Sequence, residues 1–186
     1  KSLMHFILMR RLVNTRGQVW VETVIYTLIG IAIIGLVLSV AKPKIDEKKD
    51  EVVINQAIDA LNIIDGKIDA VAGSTPGNRR IIDLEVGRGE VQLDVEGNNI
   101  VWIVDSSYLY SELDITIPVG NIDVTTKQGG EKYQVFLNVS YSEDLVFEEQ
   151  TTGVKSLLQA PTPYQLMVEN DGVNALGEVI VLIRES

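Results

Sequence analysis

Arg16, Gly17, Gln18 and Glu22 are the residues whose types and spacing point to chemistry, because they stand directly before residues 23–41, a run without a single charged side chain. A basic residue and a glycine open the motif, and one carboxylate is set at the start of an otherwise apolar stretch. A carboxylate in hydrocarbon costs about 2.5–3.5 kcal/mol on insertion scales, so Glu22 calls for a partner. Other chemistries find little to work with. The chain has no cysteine, and its one histidine is His5. Without residues 1–17 neither His nor Cys remains, which excludes His-based triads, thiol nucleophiles and the usual zinc ligand sets. No enzyme activity, cofactor or metal is expected. A surface hydrolase working with a carboxylate pair stays open as a class, although no spacing singles out such a pair. Asp105, Glu112 and Asp114 lack the spacing of a Ca²⁺ loop.

The elements that carry these residues follow from charge and period. Residues 1–17 hold Lys1, Arg10, Arg11 and Arg16 and no acid, while the rest of the chain keeps 12 basic and 26 acidic side chains, for a net charge of -10 overall. A basic flank before an apolar run and an acidic bulk after it match the positive-inside pattern, and an acidic exterior argues against nucleic acid as a partner. Residues 23–41 come close to the roughly 20 residues needed to cross a bilayer core. Lys42, Pro43 and Lys44 follow in place of a small-residue signal-peptidase cut, so the apolar segment is expected to stay on the protein.

Residues 42–73 carry a helical period, with Ile54, Ala57, Ile58, Leu61, Ile64, Ile68 and Val71 forming one stripe. The mixed-sign residues 46–51 suit a solvated face. Pro43 predicts a kink or break between the two helical segments. Gly66 weakens the second modestly, and the breakers Gly73, Ser74, Thr75, Pro76 and Gly77 end it. If helical throughout, residues 18–72 would span roughly 80 Å at about 1.5 Å per residue.

From Arg80 the period switches to two. Val91, Leu93 and Val95 alternate with Gln92 and Asp94; residues 100–104 read as a more fully buried strand with Trp102 in the core; Val135, Leu137, Val139 and Tyr141 share a face. Residues 164–168 and 178–183 read as closing strands separated by Asn170, Asp171 and Gly172. Gly87, Arg88 and Gly89 suit a hairpin turn. Tyr108 and Tyr110 fall in a loop. Asn138 begins the one N-x-S/T sequon, on the polar side of its strand, which makes it a glycosylation candidate beside the simpler reading of chance. The expected fold is α+β: a long N-terminal α-helix, membrane-spanning and then amphipathic, followed by an antiparallel β-sandwich-like head over residues 74–186.

This layout, a glycine followed by an apolar helix with Glu at its fifth residue, resembles the type IV pilin superfamily. Gln18 directly after Gly17 is most similar to archaeal members with class III signal peptides, including archaeal pilins and archaellins. The resemblance covers residues 16–41. It implies that residues 1–17 are a leader cut between Gly17 and Gln18 by a membrane prepilin peptidase, with Arg16 as the preceding basic residue. Residues 18–41 then form the membrane and filament-core helix, and Glu22 is the family glutamate. Archaeal relatives often carry Ser and Leu where Trp20 and Tyr26 stand here. Cleavage would create an ammonium at Gln18, and Glu22 could neutralise that amine on a neighbouring subunit, as a device of register more than of net stability. Ala32, Gly35 and Ser39 lie at heptad-like spacing suited to close helix packing. The implied partners are further copies in a helical filament, the peptidase and the assembly machinery, with the membrane as host before assembly and the cell exterior after it. A minor or tip pilin, and an uncleaved signal anchor bearing a surface β-domain, are the alternatives.

Overall fold

The computed structural model describes residues 15–148, 150 and 152–185, with side chains from Val19 onward. The expected leader residues 1–14, His5 included, lie outside the described residues. The chain divides into two units, Lys1–Lys44 and Ile45–Ser186. One helix, α1 (Thr15–Ala72), contributes to both. Of the kink or break expected at Pro43, a break is absent: the helix continues through it. Proline deletes one backbone donor, and here strong helix formers, Ala41, Lys42 and Lys44, flank it on both sides.

In the second unit the helical stripe becomes the core. Ile54, Leu61, Ile68 and Val71 are fully buried, with Ala57, Ile58 and Ile64 nearly so. Two sheets complete that core. Strands β1 (Arg79–Leu84), β9 (Tyr164–Val173), β10 (Val179–Glu185) and β7 (Asp144–Phe147) form one, in the order β1-β9-β10-β7. The second has the order β4-β5-β6-β3-β2-β8. Its strands are β2 (Glu90–Asp94), β3 (Asn99–Ser106), β4 (Thr116–Val119), β5 (Ile122–Gly129), β6 (Lys132–Ser140) and β8 (Val154–Leu158). The α+β class therefore stands, as one long helix followed by two antiparallel-rich sheets. One pairing departs from the antiparallel expectation: β7 and β10 are parallel.

Three local expectations are corrected. Residues 100–104 do not form a fully buried strand; Ile100, Trp102 and Val104 face the core while Val101 and Ile103 are half-covered on the other side. Gly87, Arg88 and Gly89 do not make a hairpin turn, because β1 and β2 belong to different sheets and these residues carry the chain between them. Gly89 has φ +79°, and a Cβ there would fall 2.0 Å from the Ile103 carbonyl oxygen, so glycine is required by backbone approach. Asn170, Asp171 and Gly172 lie inside β9, where Asp171 and Gly172 together oppose Ile180 as a bulge. The hairpin turn follows instead at residues 174–177, where the Gly177 N–H donates to the Asn174 carbonyl at 3.0 Å. Tyr108 and Tyr110 do lie in the loop after β3, where both are half-buried against the core and meet edge to face at 6.3 Å.

Residues 46–51 also differ from the solvated face expected of them. Asp50 is only 5% exposed. It continues the apolar stripe one turn before Ile54, and its carboxylate closes a polar clamp. The Ser107 N–H donates to Asp50 Oδ2 at 2.7 Å, the Ser107 hydroxyl donates to the same oxygen at 2.6 Å, and the Arg88 guanidinium binds Oδ1. Arg88 is itself held by its carbonyl, which accepts the Trp102 indole N–H at 3.0 Å.

The other end of the stripe is closed by Asn170. Its side-chain amide donates to the carbonyls of Val71 (3.2 Å), Ala72 (3.4 Å) and Ser74 (3.0 Å), and its Oδ1 accepts the Gly172 N–H at 2.9 Å. Helix ends leave carbonyls without intrahelical partners, and here a buried asparagine from a strand supplies the donors. Replacing Asn170 with alanine is expected to cost about 1–2 kcal/mol, since orphaned buried polar groups cost about that each. Chemical denaturation of the two proteins side by side measures it, and an unchanged midpoint would show that the cap is dispensable.

Candidate functional site

The first unit is described from Thr15 as helix. Its sequence is rich in Leu, Ile, Val and Ala, and its hydroxyl side chains add no unsatisfied polar groups. Thr23 Oγ1 donates to the Val19 carbonyl at 2.9 Å, Thr27 Oγ1 to Thr23 at 2.8 Å, and Ser39 Oγ to Leu36 at 2.7 Å. Such back-bonding lets hydroxyls sit in an apolar environment at little desolvation cost.

No large apolar side chain of this stretch is covered within its own chain. Val19, Trp20, Leu28, Leu36 and Val40 are all 60% exposed or more, with Trp20 at 70%. The helix is long and apolar enough to cross a membrane, and the apolar window that qualifies it has no buried share.

Arg16, Gly17 and Gln18 fall within α1; the side chains of Arg16 and Gln18 lie outside the described residues. Four residues is about one helical turn, so Gln18 and Glu22 share a face. Glu22 is exposed, and its Oε1 accepts the Tyr26 hydroxyl at 3.4 Å, one turn further on. Tyr26 thus provides Glu22 with a donor from its own helix.

Ala32, Gly35 and Ser39 lie on one stripe and are uncovered or nearly so; a Cβ built at Gly35 meets nothing within 4 Å. Reasoning from sequence missed a second small stripe. Thr23, Thr27 and Gly30 stand at i, i+4 and i+7, and Gly30 likewise has open space around its Cα. At about 100° per residue the two stripes are roughly 150° apart, with Glu22 on a third face between them. The signal was present in the Thr-Thr-Gly spacing but hidden by the β-branched character of threonine.

Asn138 is placed on β6, a strand interior to its sheet, between Val101 of β3 and Asp123 of β5. Its Nδ2 donates to Ser140 Oγ at 3.1 Å, and its Oδ1 is buried without a hydrogen-bond partner among the described residues. The sequon therefore sits on a strand surface rather than in a loop.

Comparisons with protein-family models, with curated proteins and with solved structures found no match to this chain.

Proposed function

We propose that this chain is a structural subunit of an archaeal type IV pilus-like filament, cut between Gly17 and Gln18 and assembled through residues 18–41. One observation carries the reading: the apolar segment 23–41 of the helix, of membrane-spanning length and led by a lone carboxylate, buries none of its large apolar side chains within its own chain. At about 25 cal/mol per Å² of apolar surface, so large an uncovered area has to be taken up by lipid or by other helices. Lipid alone accounts for the apolar residues but gives Glu22 no counter-charge. Neighbouring helices account for both, because the new ammonium of Gln18 on one copy can meet Glu22 on another. Two stripes of small residues on nearly opposite faces suit a helix with neighbours on two sides, as a polymer needs and a simple dimer does not.

On this reading the precursor resides in the cell membrane, and a prepilin peptidase and assembly machinery act on it. The mature subunit is extracellular, with the head, read as a β-sandwich-like domain on an amphipathic helix, forming the outer sheath. Adhesion is the role that the pilin resemblance implies. Edman or mass-spectrometric sequencing of cell-surface material tests the claim: the mature protein should begin at Gln18. An intact leader on surface protein would overturn it in favour of a signal-anchored β-domain. High abundance in sheared filaments would mark a major subunit, and scarcity with retained cleavage a minor or tip subunit.

A further inference from the structure

We propose that the groove between α1 and the free edge of β1 docks an extended polypeptide segment whose side chains alternate between apolar and basic. The groove has a volume of about 520 Å³, within the range of roughly 300–1,000 Å³ of ligand sites. Its floor is Trp102. One wall is the helix, through Val53, Ala57, Ala60 and Ile64. The other wall is four consecutive residues, Ile82, Asp83, Leu84 and Glu85.

Successive side chains of a strand point to opposite faces. Ile82 and Leu84 are buried while Asp83 and Glu85 are exposed, so a cavity that touches all four runs along the edge of β1 and not over one face. The other edge of β1 is occupied by β9, and β1 has no further ladder partner among the described residues. The groove therefore follows the unpaired edge, where every second residue turns its N–H and C=O outward. Such an edge binds extended peptides by adding a strand.

Length and charge narrow the occupant. Residues 53–64 of the helix and residues 82–87 beside them each measure roughly 16 Å, at about 1.5 and 3.3 Å per residue, which accommodates about five extended residues. Alternate side chains of such a segment would face Trp102 and the helix, where apolar groups fit. The mouth carries Asp83 and Glu85. Among the described residues Asp83 meets only the neutral amide of Gln165, at 3.1 Å, and the nearby Arg88 is committed to Asp50. Two carboxylates without cationic partners among the described residues at the rim call for Lys or Arg on the outward-facing positions.

The groove lies wholly within residues 53–102, so its occupancy does not depend on cleavage at Gly17; this test and terminal sequencing bear on separate claims. Full-length protein in non-ionic detergent is titrated with fluorescein-labelled Val-Lys-Val-Lys-Val amide and followed by anisotropy. Saturable binding is expected, falling about tenfold when alternate peptide amides are N-methylated, since each lost backbone donor weakens the added strand. A similar loss is expected with the Val-Glu-Val-Glu-Val peptide, and with the Asp83→Asn/Glu85→Gln protein, whose substitutions are exposed and leave the core intact. Absence of saturable binding overturns the proposal. So does equal binding of the N-methylated or acidic peptides, or full affinity in the double variant.

Discussion

Glu22→Ala should leave the head folded and the Gly17–Gln18 bond cut, yet keep the subunit out of filaments. The expectation rests on the asymmetry of buried ion pairs. Forming one from two hydrated charges is close to neutral, whereas deleting one partner leaves the other charge uncompensated and costs about 3–5 kcal/mol. In the proposed filament that penalty would recur at every Gln18 ammonium, so even its lower end would reduce each association step by more than a hundredfold. Glu22→Gln should fail nearly as badly, because an amide can accept a hydrogen bond but carries no charge. Tyr26→Phe, which removes only the hydroxyl that meets Glu22, is expected to have a much smaller effect. Sheared-filament yield against total membrane-associated subunit gives the readout. Normal yield with Glu22→Ala would mean that the carboxylate has no assembly role, whatever the fate of the leader.

Asp50→Ala should destabilise the head by about 2–4 kcal/mol. The change orphans the Ser107 N–H and hydroxyl, at about 1–3 kcal/mol for a buried unsatisfied group. Arg88 contributes less than a fully buried partner would, because its side chain is 41% exposed and rehydrates when released. Acid should bring out the same clamp in the unmodified protein. Burial pushes the Asp50 carboxyl up, but the hydrogen bonds from Ser107 and the guanidinium of Arg88 outweigh it and hold the group below its ordinary value of 3.8. A carboxyl with a depressed folded-state pKa stabilises fully above the unfolded value, and that contribution fades as pH falls from there through the folded value. The gap in stability between unmodified and Asp50→Ala protein should thus be constant near neutrality and close below about pH 4. Urea unfolding of the two proteins across that range measures it, and a gap independent of pH would assign the loss to packing instead of charge.

Much of this fold was legible because periodicity records which face of an element is buried. Every member of the Ile54-to-Val71 stripe is in the core, as are Val91, Leu93, Val135, Leu137 and Val139. Periodicity does not record partners. That β1 and β2 part into different sheets, or that β10 runs parallel to β7, depends on which edges meet, and no local pattern around Gly87 or Val179 encodes it. Asp50 was misread for a related reason: its neighbours are charged, and composition outweighed its place one turn before Ile54. Asn170 was read by its turn-forming habit, whereas its amide reaches a helix end about a hundred residues earlier in the chain. At the candidate site the reverse holds. Glu22, Gly17 and Gln18 stand out by type and spacing, while the partner proposed for Glu22 would belong to another copy, which a single chain does not contain.

The position of β10 has a consequence for the order in which the molecule is made. It is the last of the described strands in chain order, yet it sits inside its sheet, between β9 and β7. Until Val179–Glu185 has left the ribosome, β7 has no ladder to join, and β1 has waited some 80 residues for β9. The helical stripe is synthesised first and meets its full cover last. Contacts so distant in sequence close slowly. Closure of this sheet therefore waits for β10, and it follows the emergence of the apolar segment by more than a hundred residues of synthesis.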